Sequence, residues 1–330
     1  MPAGTLTETL NTLYTTTWAK RRSEVVDQVF EKNYLYLLMK SKGMVKSEEA
    51  SGRRFEIPLS IADPRSAVFF TKGYAFSIND FDPLTVAYDN YKNLGDQIIR
   101  YWEDDKINGG SKTQHLKLMN AKLNTLKNSF QLKMEIAFWD GTTGGASTPN
   151  FNSIGHLIQT SPSSSTTIHG LNQATQSDGQ GNFIWRNQLK TSSGAFSVFG
   201  ESDMVNLMNT CNRWGSVDAI ISDQTTYELG IAEAIERVRI VNKEAVDLGI
   251  DHITFMGRTW TWSPRCTTGE SLFIDRDHIG FSLDPAVNMA MSDWKEIPNQ
   301  YNDVVAQIVS RGNLWRDKAQ CHGKLTGQAA

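Results

Sequence analysis

Residues that could do chemistry are few along this 330-residue chain, and each candidate fails on spacing. Asp178-Gly179-Gln180-Gly181-Asn182 sets oxygen donors at alternate positions, as a hard cation such as calcium requires. The pattern breaks at Phe183, its sixth position, and at Leu189, its twelfth, where a bidentate Glu is needed, so an exposed turn is expected. A phosphate-cradling loop needs Gly, four residues, then Gly-Lys and a hydroxyl; Gly109-Gly110-Ser111-Lys112 has the wrong order and reads as the start of a helix. Gly200-Glu201-Ser202-Asp203-Met204 lacks the closing Gly of a nucleophile elbow, and Ser202 or its neighbour reads as a helix cap. Cys211, Cys266 and Cys321 stand at intervals of 55 residues, and no two of the six His share a ligand spacing, so zinc is not expected. The adjacent Cys321 and His322 should point to opposite sides of a strand, one into the core and one to the surface. Asp275-Arg276-Asp277-His278 could support acid/base chemistry but reads as a structural loop at a strand end. No constellation supports an enzyme, and no cofactor or metal is implied.

The elements that would have to position any site are clearer. Residues 1–18, with seven Thr in the first seventeen, read as an arm without its own core, followed by a helix from about Ala19 to Lys42 that Gly43 ends. Ser51 to Ser60 alternates like a strand, Ala62-Asp63-Pro64-Arg65-Ser66 is rich in turn formers, and Ala67-Val68-Phe69-Phe70 reads as the return strand of a long hairpin. Further strand patterns follow at Leu84–Tyr91 and Leu94–Ile99. From Ser111 to Phe138 apolar residues recur at Leu116, Met119, Leu123, Leu126, Phe130, Met134 and Ala137. At 100° per residue these fall within an arc of roughly 80°, the stripe of a long helix buried along one side. The lysines of this segment scatter around the cylinder and read as a solvated face. Later come a helix near Ser202–Cys211, a buried strand Val217–Ile221, a helix capped by Asp223, strands at Ile250–Phe255, Thr259–Trp262 and Ser271–Ile274, and a strand-rich tail from Val287 to Lys324. The class is α+β.

Composition narrows the function. With 39% hydrophobic residues the chain can bury a sizeable core, and 33 Lys+Arg against 36 Asp+Glu, a net charge of -3, excludes a basic nucleic-acid binder. No apolar run approaches the ~18 residues of a membrane span, and the N-terminus has no apolar signal core, so a soluble protein without a secretory signal is expected. Three widely spaced Cys suggest reduced thiols made in a cytoplasm.

The order of elements resembles the major capsid proteins of tailed bacteriophages, the Hong Kong 97-type fold. The residues that carry the resemblance are Gly52-Arg53-Arg54-Phe55-Glu56-Ile57-Pro58 opening an extended loop, Phe138-Trp139-Asp140-Gly141-Thr142 closing the long helix, Asn152-Ser153-Ile154-Gly155-His156-Leu157-Ile158, Ile168-His169-Gly170-Leu171-Asn172 and Asn182-Phe183-Ile184-Trp185-Arg186-Asn187. Val217 to Tyr227 and Phe255 to Ile274 are similar to the family's axial-domain elements. The resemblance implies an N-terminal arm at 1–50, an extended loop at 51–80, a peripheral domain at 81–150 and 288–330 with its spine helix at 111–138, and an axial domain at 151–287.

It further implies self-assembly into pentamers and hexamers that close an icosahedral shell in the host cytoplasm around double-stranded DNA held without sequence specificity. Partners would be the portal and a separate scaffolding or decoration protein, with no membrane. A two-stranded ribbon cannot stabilise itself in water, so the loop must lie on something, and a neighbouring subunit is the natural surface. Arg53, Arg54, Phe55, Glu56 and Arg65 are therefore the candidate subunit-interface residues, and Leu116, Met119, Leu123, Leu126, Phe130 and Met134 the buried face of the spine. An encapsulin-type shell, a hydrolase with an unrecognised site and an adhesive carbohydrate-binding protein are the alternatives.

Overall fold

The computed structural model describes residues 35, 39–40, 43–47, 52–61, 67–76, 83–107, 112–235 and 253–328. In chain order the strands begin with β1 (Val45–Ser47), β2 (Arg54–Ser60), β3 (Leu84–Asn90) and β4 (Lys92–Arg100). A short helix, Trp102–Ile107, and a long one, Lys112–Phe138, come next. The single turn Ile154–Leu157 precedes the small strands β5 (Thr167–Ile168), β6 (Leu171–Asn172) and β7 (Gln188–Thr191). A π-helical turn at Phe196–Gly200 runs straight into the helix Glu201–Asn212, then β8 (Ala219–Ser222) and the helix Gln224–Ile235. The remaining strands are β9 (Ile253–Phe255), β10 (Arg258–Trp262), β11 (Ser271–Ile274), β12 (Ile279–Leu283), β13 (Ala290–Met291), β14 (Lys295–Glu296), β15 (Val304–Arg316) and β16 (Gly323–Thr326).

Packing divides the chain into two units. The larger holds Tyr34–Asn93, Glu135–Pro285 and Arg311–Ala330. Its main sheet runs β7-β16-β11-β8-β10-β9, with β8/β10 and β16/β7 parallel and the other pairs antiparallel. All four residues of β8 are buried, as expected of a central strand covered on both faces. The core beside it joins Met204, Leu207, Met208 and Cys211 from one helix, Tyr227 from the next, and Ile220, Trp260, Phe273 and Leu325 from the strands. Asp223 begins the helix Gln224–Ile235, its carboxylate reaching the Thr226 N–H. The same unit pairs β1 in parallel with β12, and β12 with the Gly312–Arg316 end of β15. Phe138, Phe151 and Phe281 meet there edge to face or tilted, with centroids 5.2 to 6.2 Å apart.

The smaller unit holds Leu94–Met134 and Ala286–Ser310. Within it β13 and β14 pair antiparallel with β15, which also pairs with β4. Trp102 donates its backbone N–H to Asp303 at 2.8 Å and sets its ring edge to face against Tyr301. Most of the long helix lies here, described from Lys112 to Phe138; Ser111 lies outside the described residues. Leu126, Phe130 and Met134 are buried and Leu123 is half-buried, while the side chains of Leu116 and Met119 fall outside the described residues. Beyond Phe138 the helix ends where Gly141 turns the chain at φ 52°.

Several sequence expectations are corrected. The return strand of the hairpin is β3, not Ala67–Phe70; β2 pairs antiparallel with β3 from Arg54↔Asn90 to Ser60↔Leu84, and 67–70 forms no ladder. The sequence reading assigns no element to Ile279–Leu283, which is strand β12 with every residue buried. Ser202 is no cap: its hydroxyl donates back to the Phe199 carbonyl, and Gly200 is already helical. Cys321 and His322 are both fully buried, in a turn ahead of β16, because the His322 Nδ1 accepts the Asp275 N–H inside the unit. Of the expected helix Ala19–Lys42, residues 35, 39 and 40 are helical and the rest lies outside the described residues.

Candidate assembly interface

The β2/β3 ribbon has two unlike faces, because consecutive strand residues point to opposite sides. Phe55, Ile57, Leu59, Ala87 and Asp89 share the inner face, which packs on the body of the larger unit. There Ala87 joins Leu171 and Trp185 in a small core, with Ile57 and Leu59 against it. Arg54, Glu56, Pro58, Ser60, Leu84, Val86 and Tyr88 share the outer face, and all are exposed.

The ribbon's root is held by polar groups as well as apolar ones. The tight turn His169-Gly170 between β5 and β6, with φ of 50° and 77°, forms a socket for it. Gly170 is required there, since a Cβ would sit 2.7 Å from the Tyr88 ring. The His169 carbonyl accepts the Tyr88 N–H at 2.9 Å, and its ring lies edge-on to Phe55. Asp89, buried, accepts the Asn152 amide at 2.7 Å and faces His169 Nδ1 at 3.2 Å. Asn313 donates to the Asn90 carbonyl, and Lys92 to Gly145 O and Thr148 Oγ1. Arg316, wholly buried, donates to the carbonyls of Leu157 and Trp185 and stacks over the Trp185 ring. Burial pushes its guanidinium down to about 9, so it stays charged at neutral pH. Burial also depresses His169, and holds His156 down to about 4 with help from His169 and Arg316. The Asp89 carboxyl lies below its ordinary value; burial opposes this, and the bonds from His169 and Asn152 outweigh it.

The predicted interface residues divide between these faces. Arg53 is exposed, its carbonyl accepting the Tyr91 N–H. Arg54 is exposed, pairs with Glu56 at 2.7 Å along the outer face and lies over the Tyr88 ring. Phe55 is instead spent inside its own subunit, against Tyr91 and His169. Arg65 lies outside the described residues. What the sequence reading missed is the tip, 67–76, where Val68, Phe69, Phe70, Tyr74 and Phe76 are all exposed, Phe69 completely. Phe76 meets Phe70 and Tyr74 edge to face at 5.0 and 5.4 Å, a small aromatic cluster covered by nothing within the described residues. Exposed apolar patches of this kind are a feature of interaction sites. Elsewhere the chemistry is quiet. Among the described residues no group of three His, Cys, Asp or Glu could hold a metal ion, and burial raises all three Cys thiols well above their ordinary value. Asp178 spends its carboxylate on the N–H groups of Gln180 and Asn182 and on the Asn182 side chain.

No family model and no curated protein matches the sequence. Solved structures do. The cyanophage A-1(L) capsid superposes with a TM-score of 0.68 at 10% identity, covering 94% of this chain and 97% of that one. The capsid of an empty GTA particle gives 0.60 at 10% identity over 94% and 95% of the two chains. The fold is that of a phage capsid shell protein. An encapsulin shares it: the holo-SrpI complex from Synechococcus elongatus PCC 7942 matches with a TM-score of 0.55 at 10% identity over 96% and 97%. Among the described residues the ribbon tip carries a concentrated set of exposed large apolar side chains.

Proposed function

We propose that the chain is the major capsid protein of a tailed phage, a shell subunit that forms pentamers and hexamers around double-stranded DNA. The single observation that carries this reading is the ribbon tip: five large apolar side chains held in solvent at the end of a firmly seated hairpin. Closing a shell supplies each tip with a neighbour and leaves none exposed. The fold, matched over nearly the whole chain, supports the same reading.

In this proposal residues 1–50 are the arm, 51–80 the extended loop, 81–150, which opens with the loop's return strand β3, and 288–330 the peripheral domain, and 151–287 the axial domain. Arg53, Arg54, Glu56 and Arg65 belong to contacts between subunits, and Phe55 seats the loop. A net charge of -3 suits an inner surface that holds DNA without a steep electrostatic grip. The portal and a scaffolding or decoration protein complete the list of partners, and the site of assembly is the host cytoplasm. The encapsulin likeness favours a second reading, a shell around protein cargo. Negative-stain electron microscopy of the purified full-length chain tests both: closed, uniform shells are expected. A species that stays monomeric in light scattering at every concentration, with or without a scaffold, contradicts them. Co-purification with a dedicated protein cargo in place of packaged DNA selects the encapsulin.

A further inference from the structure

We propose that His169 is the positioning residue of the ribbon, and that it holds β2 and β3 on their own subunit only while its imidazole is uncharged. Its two nitrogens have opposite partners. Nε2 accepts the backbone N–H of Arg316 at 3.2 Å, so it carries no proton, and the proton sits on Nδ1, facing Asp89 at 3.2 Å. A second proton would turn Nε2 into a donor pointed at a donor. The buried site is poor in negative charge as well: Asp89 on β3 stands alone against Lys92 on β4 and Arg316 on β15, with His156 from the turn Ile154–Leu157 also nearby. The same residue carries the backbone contact to Tyr88 and the ring contact to Phe55, one on each strand. Its unseating frees both strands at once.

Lifting the ribbon returns the imidazole to water and to its ordinary value near 6.5. Each pH unit below that point then favours the lifted state about tenfold, because only the lifted state takes the proton. The claim concerns seating on the chain's own body, so it stands apart from what the shell encloses.

Asparagine is the discriminating substitution. It tolerates the left-handed backbone at φ 50°, offers an N–H toward Asp89 and does not titrate. Hydrogen–deuterium exchange of the full-length protein, corrected for intrinsic rates, is followed in peptides from β2 and β3 at pH 7.5 and 5.5, with β8 and β11 as internal references. Wild type should lose about tenfold of its ribbon protection at pH 5.5 while the references, which report global unfolding, stay the better protected at both pH values, and His169→Asn should keep equal ribbon protection at both. The proposal is overturned if the wild-type ribbon keeps its protection, if the ribbon is protected no less than the references at either pH, so that only global unfolding exposes it, if His169→Asn loses protection as wild type does, or if the variant's ribbon is already unprotected at pH 7.5.

Discussion

The root and the tip of one hairpin solve opposite problems. At the root every inward residue has a partner in the same subunit: Phe55 against Tyr91 and His169, Ala87 against Leu171 and Trp185, Asp89 against Asn152 and His169. At the tip Phe69, Phe70 and Phe76 are as apolar as anything in the core and stand in water. In the proposed function the difference separates an end that serves folding from an end that serves association. A seated root fixes where the tip is offered, and in the proposed function the tip's cost of exposure, about 2–3 kcal/mol for a large side chain, is recovered on a neighbouring copy.

The largest effect separating the two ends comes from acid. His156 is held at about 4 and the wholly buried His322, by burial and the nearby Arg316, at about 3. Both lie below the unfolded value near 6.5, so the folded state binds fewer protons and their contribution, present above 6.5, is lost as pH falls toward 4 and then 3. Thermal melts should therefore drop steeply between pH 7 and 4, by several kcal/mol of stability, whereas the tip 67–76 contains no acid, base or His other than Lys72 and contributes nothing to that loss. Next in size, Phe55→Ala should cost the subunit about 3 kcal/mol in urea unfolding, since it empties the root's packed face. Gly170→Ala should cost about 2 kcal/mol in the same measurement, forcing a side chain into a left-handed turn and against Tyr88.

The tip should behave in the reverse way. Phe69→Ser with Phe70→Ser should leave unfolding free energy within about 0.5 kcal/mol of wild type while abolishing particles in light scattering. Arg53→Glu with Arg54→Glu should move stability least, since the Arg54–Glu56 pair is half-exposed. It should still give irregular assemblies, because the reversal recurs at every copy of the contact. Normal shells from this double variant would assign both arginines to plain solvated surface.

What the sequence made legible followed from period. The seven-residue stripe located the long helix and its end at Phe138, and the alternation in Arg54–Ser60 located β2. The run Ala67-Val68-Phe69-Phe70 was misread because strand composition records only that residues want apolar cover, whether from a ladder or from another molecule. Strand β12 was hidden by its brevity and by Gly280, which packs against the Met44 carbonyl and the Trp315 ring. His169 enters the sequence reading only within the motif Ile168–Asn172, with no role of its own. The signal that could have found it was the two-residue turn His169-Gly170 between Thr167-Ile168 and Leu171-Asn172, where Ile168 and Leu171 flank the turn. Its partners, Asp89 and Arg316, lie 80 and 147 residues away, and no local pattern announces such pairings.

The measurement that bears most directly on the account is a cryo-electron microscopy map of the assembled full-length protein at side-chain resolution. Closed shells are expected in which Phe69, Phe70 and Phe76 of each subunit are buried on a neighbouring copy while β2 and β3 remain seated on their own. Shells in which the tip still stands in solvent, or particles closed without any contact from residues 67–76, would contradict it.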